Sequence, residues 1–182
     1  KRCYGHQAKR APMTRMGTAA VLRELLFKTQ RYLADKEAGK NPAFDMKLEA
    51  MIPVIKGELP LKAHAHRADD ILTSIRIAKE FGVKLTLDHC TDGSLIADEL
   101  AEEGYPAFVG PSLGSKSKIE LINKSFTTPS ELTKAGVKVS IITDAPVIPL
   151  QYLPMCAGLA ANAGLPAEEA WRAITINPAN QT

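Results

Sequence analysis

The sequence predicts an α/β fold, a set of consecutive strand–helix units of the TIM-barrel type. Short apolar stretches starting near residues 61, 83, 106 and 137 alternate with segments of helical periodicity, which is the rhythm of a parallel sheet with crossover helices. Three of these four stretches run into a side chain that can bind a metal, namely His64, His89 and Asp144. In a barrel, consecutive strands end at one common mouth, where active sites are built. An open doubly wound sheet shares the same rhythm. No glycine-rich turn joins the first strand to its helix, however, so a dinucleotide site has no support.

Along the chain, residues 1–16 hold Gly, Pro, Arg and Gln without periodicity and read as a loop. From Thr18 to about Ala38, Val21, Leu22, Leu25, Leu26, Tyr32 and Leu33 give one apolar face at helical spacing. A second helix runs from about Phe44 to Ile55, with Pro53 kinking it or marking its final turn. The first strand spans 61–66, and its helix runs from Asp69 to Phe81 with Gly82 as the stop. The second strand spans 83–89, with a helix over 94–103 closed by Gly104. The third covers 106–109, and a longer connection leads to a helix at about 129–135, ended by Gly136. The fourth covers 137–142, and helices over 150–163 and 166–174 follow. Pro166 and the acidic Glu168 and Glu169 suit the start of the last of these.

Composition narrows the function class. At 182 residues, 45% hydrophobic and 24% charged, the chain can bury one ordinary core. The whole of 1–182 reads as one domain, with 1–58 preceding the first strand and 59–182 carrying the repeated units. A net charge of +3 is too small to argue for nucleic acid or an anionic membrane surface. The basic Arg2, Lys9, Arg10 and Arg15 read as a solvated loop without aromatic interleaving. Three widely spaced cysteines, Cys3, Cys90 and Cys156, form no disulfide framework and favour a cytoplasmic setting. No apolar run is long enough to span a bilayer.

Each candidate residue also has a plain structural reading. A single histidine is commonly a hydrogen-bonded core or surface residue, and Asp144 before Ala145-Pro146 suits a turn. Equivalent placement at three strand ends is what favours a site.

Lys62-Ala-His-Ala-His-Arg67 with Ala68-Asp-Asp-Ile71, and Leu87-Asp-His-Cys-Thr91, stand in order along the chain. Gly110-Pro-Ser112 with Ser117-Lys118, Ile142-Thr-Asp-Ala-Pro-Val147 and the stretch from Ala160 to Pro178 extend the pattern over nearly the whole chain. With these motifs the chain resembles the amidohydrolase superfamily, in the branch of imidazolonepropionase and the prolidase-like metal hydrolases. The resemblance implies a partial (β/α)8 barrel made of strands five to eight. His64 and His89 would be metal ligands at strands five and six. Asp144 would contact metal at strand eight and act as the catalytic proton carrier. His66 has no standard ligand role; it faces substrate or is a supporting or solvent-facing histidine. Ser117 and Lys118 either contact substrate or are a plain loop pair. Cys90 stands near the site without being a nucleophile.

The implied reaction is hydrolysis of an amide or cyclic amide C–N bond in a small molecule. It uses hydroxide formed on a divalent cation, zinc above all, which lowers the pKa of its water from about 15.7 towards about 7. The resemblance also implies a His-x-His at strand one and a lysine or glutamate at strand four. The only His-x-His here is His64-Ala-His66, and His6 does not match. The expectation is therefore a chain that begins just past strand four, as a piece of a longer enzyme and inactive by itself. The alternative is a non-catalytic half-barrel acting as an assembly or binding module, through self-association or pairing with another half. A phosphate site at Gly110-Pro-Ser112 and Gly114-Ser115 is disfavoured, because that loop does not lead directly into a helix N-terminus.

Overall fold

A computed structural model of the chain describes Gly5 and residues 7–182. Arg2, Cys3 and His6 lie outside the described residues. By contact the chain divides into two compact units, residues 1–61 with 76–84 and residues 62–75 with 85–182.

The first unit is helical. Helix α1 spans Arg15–Glu37 and α2 spans Met46–Ile55. The sequence places the start of α1 at Thr18, but the Thr14 side chain accepts the Gly17 amide at 2.9 Å and starts the helix at Arg15. Gly5, Gln7 and Ala8 are helical too, a further departure from the loop reading. Asp45 caps α2 through the amides of Lys47 and Leu48. Pro53 stands in the last turn of α2, and its carbonyl accepts from Glu58 and Leu59. Leu26, Tyr32 and Val54 are buried. The Tyr32 hydroxyl donates to Glu49 at 2.6 Å, and Lys36 bonds the same carboxylate at 2.5 Å.

The second unit carries the sheet. Its strands are β1 (Leu61–Ala65), β2 (Leu85–His89), β3 (Ala107–Val109) and β4 (Val139–Ile141), in the order β1-β2-β3-β4. The β2–β3 and β3–β4 pairs are parallel, with Leu87 opposite Ala107, and Ala107 in turn opposite Val139. Helices α3 (Ala68–Phe81), α4 (Ala97–Glu103) and α5 (Thr128–Ala135) form the crossovers, and the unit boundary falls within α3. Helices α6 (Leu153–Asn162), α7 (Ala167–Arg172) and α8 (Ile176–Gln181) follow β4.

Strands β2 and β4 are shorter than their apolar runs because the residue after the helix-stopping Gly82 and Gly136 belongs to the helix cap. Val137 donates to Leu132 past Gly136, which sits at φ 99°, and Val83 does the same to Ala78. Neither amide is then free for the sheet. The buried runs Leu85–Leu87, Ala107–Val109 and Val139–Ile141 explain why these strands lack polar alternation. Beside β4, Ile141 packs with Cys156, Ala157, Ala160, Leu165, Ala170 and Ala173. The sequence does not foretell α8, whose Pro178 and two asparagines are poor helix formers. Tertiary bonds hold it instead: Asn177 donates to the Val139 carbonyl at 2.8 Å, and Ser140 to Gln181 at 2.7 Å.

Candidate metal centre

Strand β1 and the end of β2 bring three imidazoles together. One nitrogen each from His64, His66 and His89 lies within 4.8 Å of the other two, the one such His, Cys, Asp or Glu group among the described residues. His89 and His66 stack with centroids 4.6 Å apart, and His64 meets His89 at 4.1 Å. His64 is exposed, whereas His66 and His89 are buried.

One hydrogen bond fixes which nitrogen the His89 ring offers. His89 Nδ1 lies 2.6 Å from the Gly110 carbonyl oxygen. A carbonyl only accepts, so Nδ1 carries the proton and Nε2 keeps its lone pair. That Nε2 points at His64 Nδ1, 2.9 Å away. His66 Nδ1 contacts the Thr91 hydroxyl at 2.8 Å, while its buried Nε2 has no hydrogen-bond partner.

Gly110 is where it is because nothing larger fits. At φ 137° a Cβ there would lie 2.2 Å from the Ile142 carbonyl oxygen. The backbone is left-handed at three non-glycine residues of the strand ends, His89 (φ 76°), Cys90 (φ 49°) and Asp144 (φ 51°). Such residues cost about 1–3 kcal/mol each and cluster at functional sites.

Burial pushes the His66 imidazole down to about 3, helped by the charges of His89, His64 and Lys118. His66 is therefore neutral at pH 7, the form that binds metal. Burial raises the carboxyl of Asp88 above its usual range, against the pull of Lys62, whose Nζ is 3.6 Å from Asp88 Oδ1. Lys62 also lies over the Phe108 ring, 4.2 Å from its centroid. The Cys90 thiol is pushed up to about 12 by burial, so a thiolate nucleophile is not available there.

Asp144 is exposed just past β4 and is not in the three-nitrogen group. Its charge does reach Asp88. Ser117 and Lys118 are exposed on the loop after β3, and Lys118 is within electrostatic reach of His66. Sequence reasoning gave no role to Thr91 or Gly110. Thr91 directly follows His89-Cys90, so its side chain was within the quoted motif, but only the fold shows that it holds His66.

Three imidazoles whose nitrogens lie within 4.8 Å of one another, one ring with a buried nitrogen that has no partner, fit a transition-metal ion.

The chain is similar to an amidohydrolase. Its fold matches the crystal structure of an amidohydrolase from Thermotoga maritima MSB8 with a TM-score of 0.92 and 41% identity over 98% of this chain. This chain spans 48% of that protein's length. No protein-family model and no curated protein sequence matches the chain. The parallel sheet with its crossover helices is consistent with part of an α/β barrel, as the sequence predicts. No helix among the described residues is long and apolar enough to cross a membrane.

Proposed function

We propose that β1–β4 are strands five to eight of an amidohydrolase barrel, of the imidazolonepropionase and prolidase-like branch, and that they hold a divalent cation, zinc, for hydrolysis of an amide or cyclic amide C–N bond. The observation that carries this reading is His89. Its tautomer is set by a backbone carbonyl, so that Nε2 presents a lone pair 2.9 Å from His64 Nδ1, the outer hydrogen bond that metal-ligating histidines make. The 41% identity to an amidohydrolase over nearly the whole chain supports the reaction class.

In this reading His64 and His89 hold the cation, together with Asp144. When bound, the cation supplies an acidified water and polarises the substrate carbonyl. Asp144, exposed at its strand end, accepts the proton of the attacking water and returns it to the nitrogen as the C–N bond breaks. The remaining ligands of the resembling family, from strands one and four, would come from outside these residues. Ser117 and Lys118, on the exposed loop, would meet the substrate. Free, buried Cys90 and Cys156 suit a reducing cytoplasm.

The test is hydrolysis of a panel of dipeptides and cyclic amides by the whole protein with zinc restored. His89→Ala and Asp144→Asn are each expected to lower kcat by about 100-fold or more. Unaltered turnover in both variants overturns the reading.

A second reading rests on the sheet, in which β1 and β4 each have one strand neighbour among the described residues. Such edges recruit strands, so the chain would pair with another half-barrel or a second copy without catalysis. Light scattering decides between them: dimers of this chain with no hydrolysis under any metal favour the second.

A further inference from the structure

We propose that His66 is a third protein ligand of the cation centre, so that β1 and β2 by themselves carry a complete three-imidazole site. The inference rests on the metal reading of His64 and His89 but adds a ligand that the family resemblance does not supply.

Three observations lead to it. The Nε2 of His66 is buried without a hydrogen-bond partner, and leaving a buried polar atom unpaired is unfavourable. A ligand for that atom removes the cost. The ring is also fixed in place: it stacks on His89 at 4.6 Å and stands edge-on to His64 at 5.0 Å. Finally, the segment following β2 grips His66 at two points. The Thr91 hydroxyl meets Nδ1 at 2.8 Å, and the Asp92 amide donates to the His66 carbonyl at 2.8 Å. Asp92 is itself anchored, accepting from the Ala68 amide at 3.1 Å and from Asn123 at 2.9 Å.

Thr91 is then a positioning residue. The Thr91 hydroxyl occupies Nδ1 and leaves the buried Nε2 as the nitrogen without a protein partner. Thr91 holds the His66 ring at Nδ1, as the Gly110 carbonyl holds that of His89. Both buried imidazoles thus present Nε2, with the exposed His64 contributing Nδ1.

The experiment is zinc and cobalt(II) binding to this chain, read by competition with a chromophoric chelator and by the cobalt(II) visible spectrum. Circular dichroism checks each variant for folding. The parent is expected to bind cobalt(II) with the intense bands of a low-coordinate nitrogen site. His66→Ala should weaken zinc by about 100-fold or more, and Thr91→Val by about 10–100-fold, the range for an outer hydrogen-bond partner. Thr91→Val keeps all three histidines, so it tests the proposal even if His66→Ala fails to fold. If Thr91→Val and any folded His66→Ala bind like the parent while His89→Ala does not bind, the third ligand is overturned and the His64–His89 reading stands. If His64→Ala and His89→Ala also bind like the parent, the metal reading itself falls. A parent chain that binds neither metal overturns the three-imidazole site.

Discussion

Two polar clusters, one in each unit, are built from similar parts to opposite ends. In the helical unit, Tyr32, Lys36 and Glu49 satisfy one another: two donors converge on one carboxylate, which is held below the usual range chiefly by Lys36 and then by Tyr32. In the sheet unit, His64, His66 and His89 also converge, but all three are potential ligands and one buried nitrogen is left unpaired. The first cluster is complete with protein atoms alone. The second has left-handed backbone at His89 and a glycine clamped against Ile142. A polar cluster that closes on itself serves the fold, whereas one that is held in a strained shape with an atom to spare is set up for something else.

The sharpest way to break this contrast is Gly110→Ala. The added Cβ meets the Ile142 carbonyl oxygen at 2.2 Å in a backbone conformation that side chains rarely adopt. The expected loss is about 3 kcal/mol or more in urea unfolding, with loss of the His89 orientation. A variant as stable as the parent would show that the clamp is not tight.

Acid comes next and should separate the clusters. His66 binds its proton far less readily in the fold than in the unfolded chain, so between about 6.5 and about 3 the unfolded state holds more protons. Stability of the metal-free chain should therefore fall as the pH drops below about 6.5. Glu49 is displaced in the same direction, held low in the fold, but starts from the carboxylate range. Its contribution is present above the ordinary carboxylate range and is lost only as the pH falls through its lowered value. Urea midpoints measured with chelator across this range should decline in two phases, and His66→Gln should remove the earlier one. A flat profile from pH 6.5 to 5 would remove His66 from the account.

The smallest effect belongs to Tyr32→Phe. It deletes one of two donors to Glu49 and leaves Lys36 in place. A slight drop in melting temperature at pH 7 is expected, diminishing in acid once Glu49 is protonated. A loss rivalling that of Gly110→Ala would erase the distinction between the two clusters.

Much of this architecture was legible in the chain. Apolar runs over 61–66, 83–89, 106–109 and 137–142, with glycines after three helices, mark the strand–helix alternation because strand and helix periods differ and glycine alone takes the cap conformation cheaply. Helix α8 was not legible, since its support is Asn177 and Gln181 bonding to β4 rather than any local propensity. His64 and His89 stood out by their place at strand ends. His66 did not, because nothing local tells a buried ring from an exposed one two residues after a strand histidine.

The sequence by itself determined the parallel α/β order and the placing of His64, His89 and Asp144 at strand ends, since these follow from spacing along one chain. Only the tertiary structure decided which of them meet. It put a nitrogen of His66, rather than Asp144, within 4.8 Å of those of the other two histidines, fixed the His89 proton through the Gly110 carbonyl and held the His66 ring through Thr91. Those choices depend on contacts between residues about 20–25 positions apart, made when parallel strands lie about 4.8 Å from each other, and no local pattern encodes them.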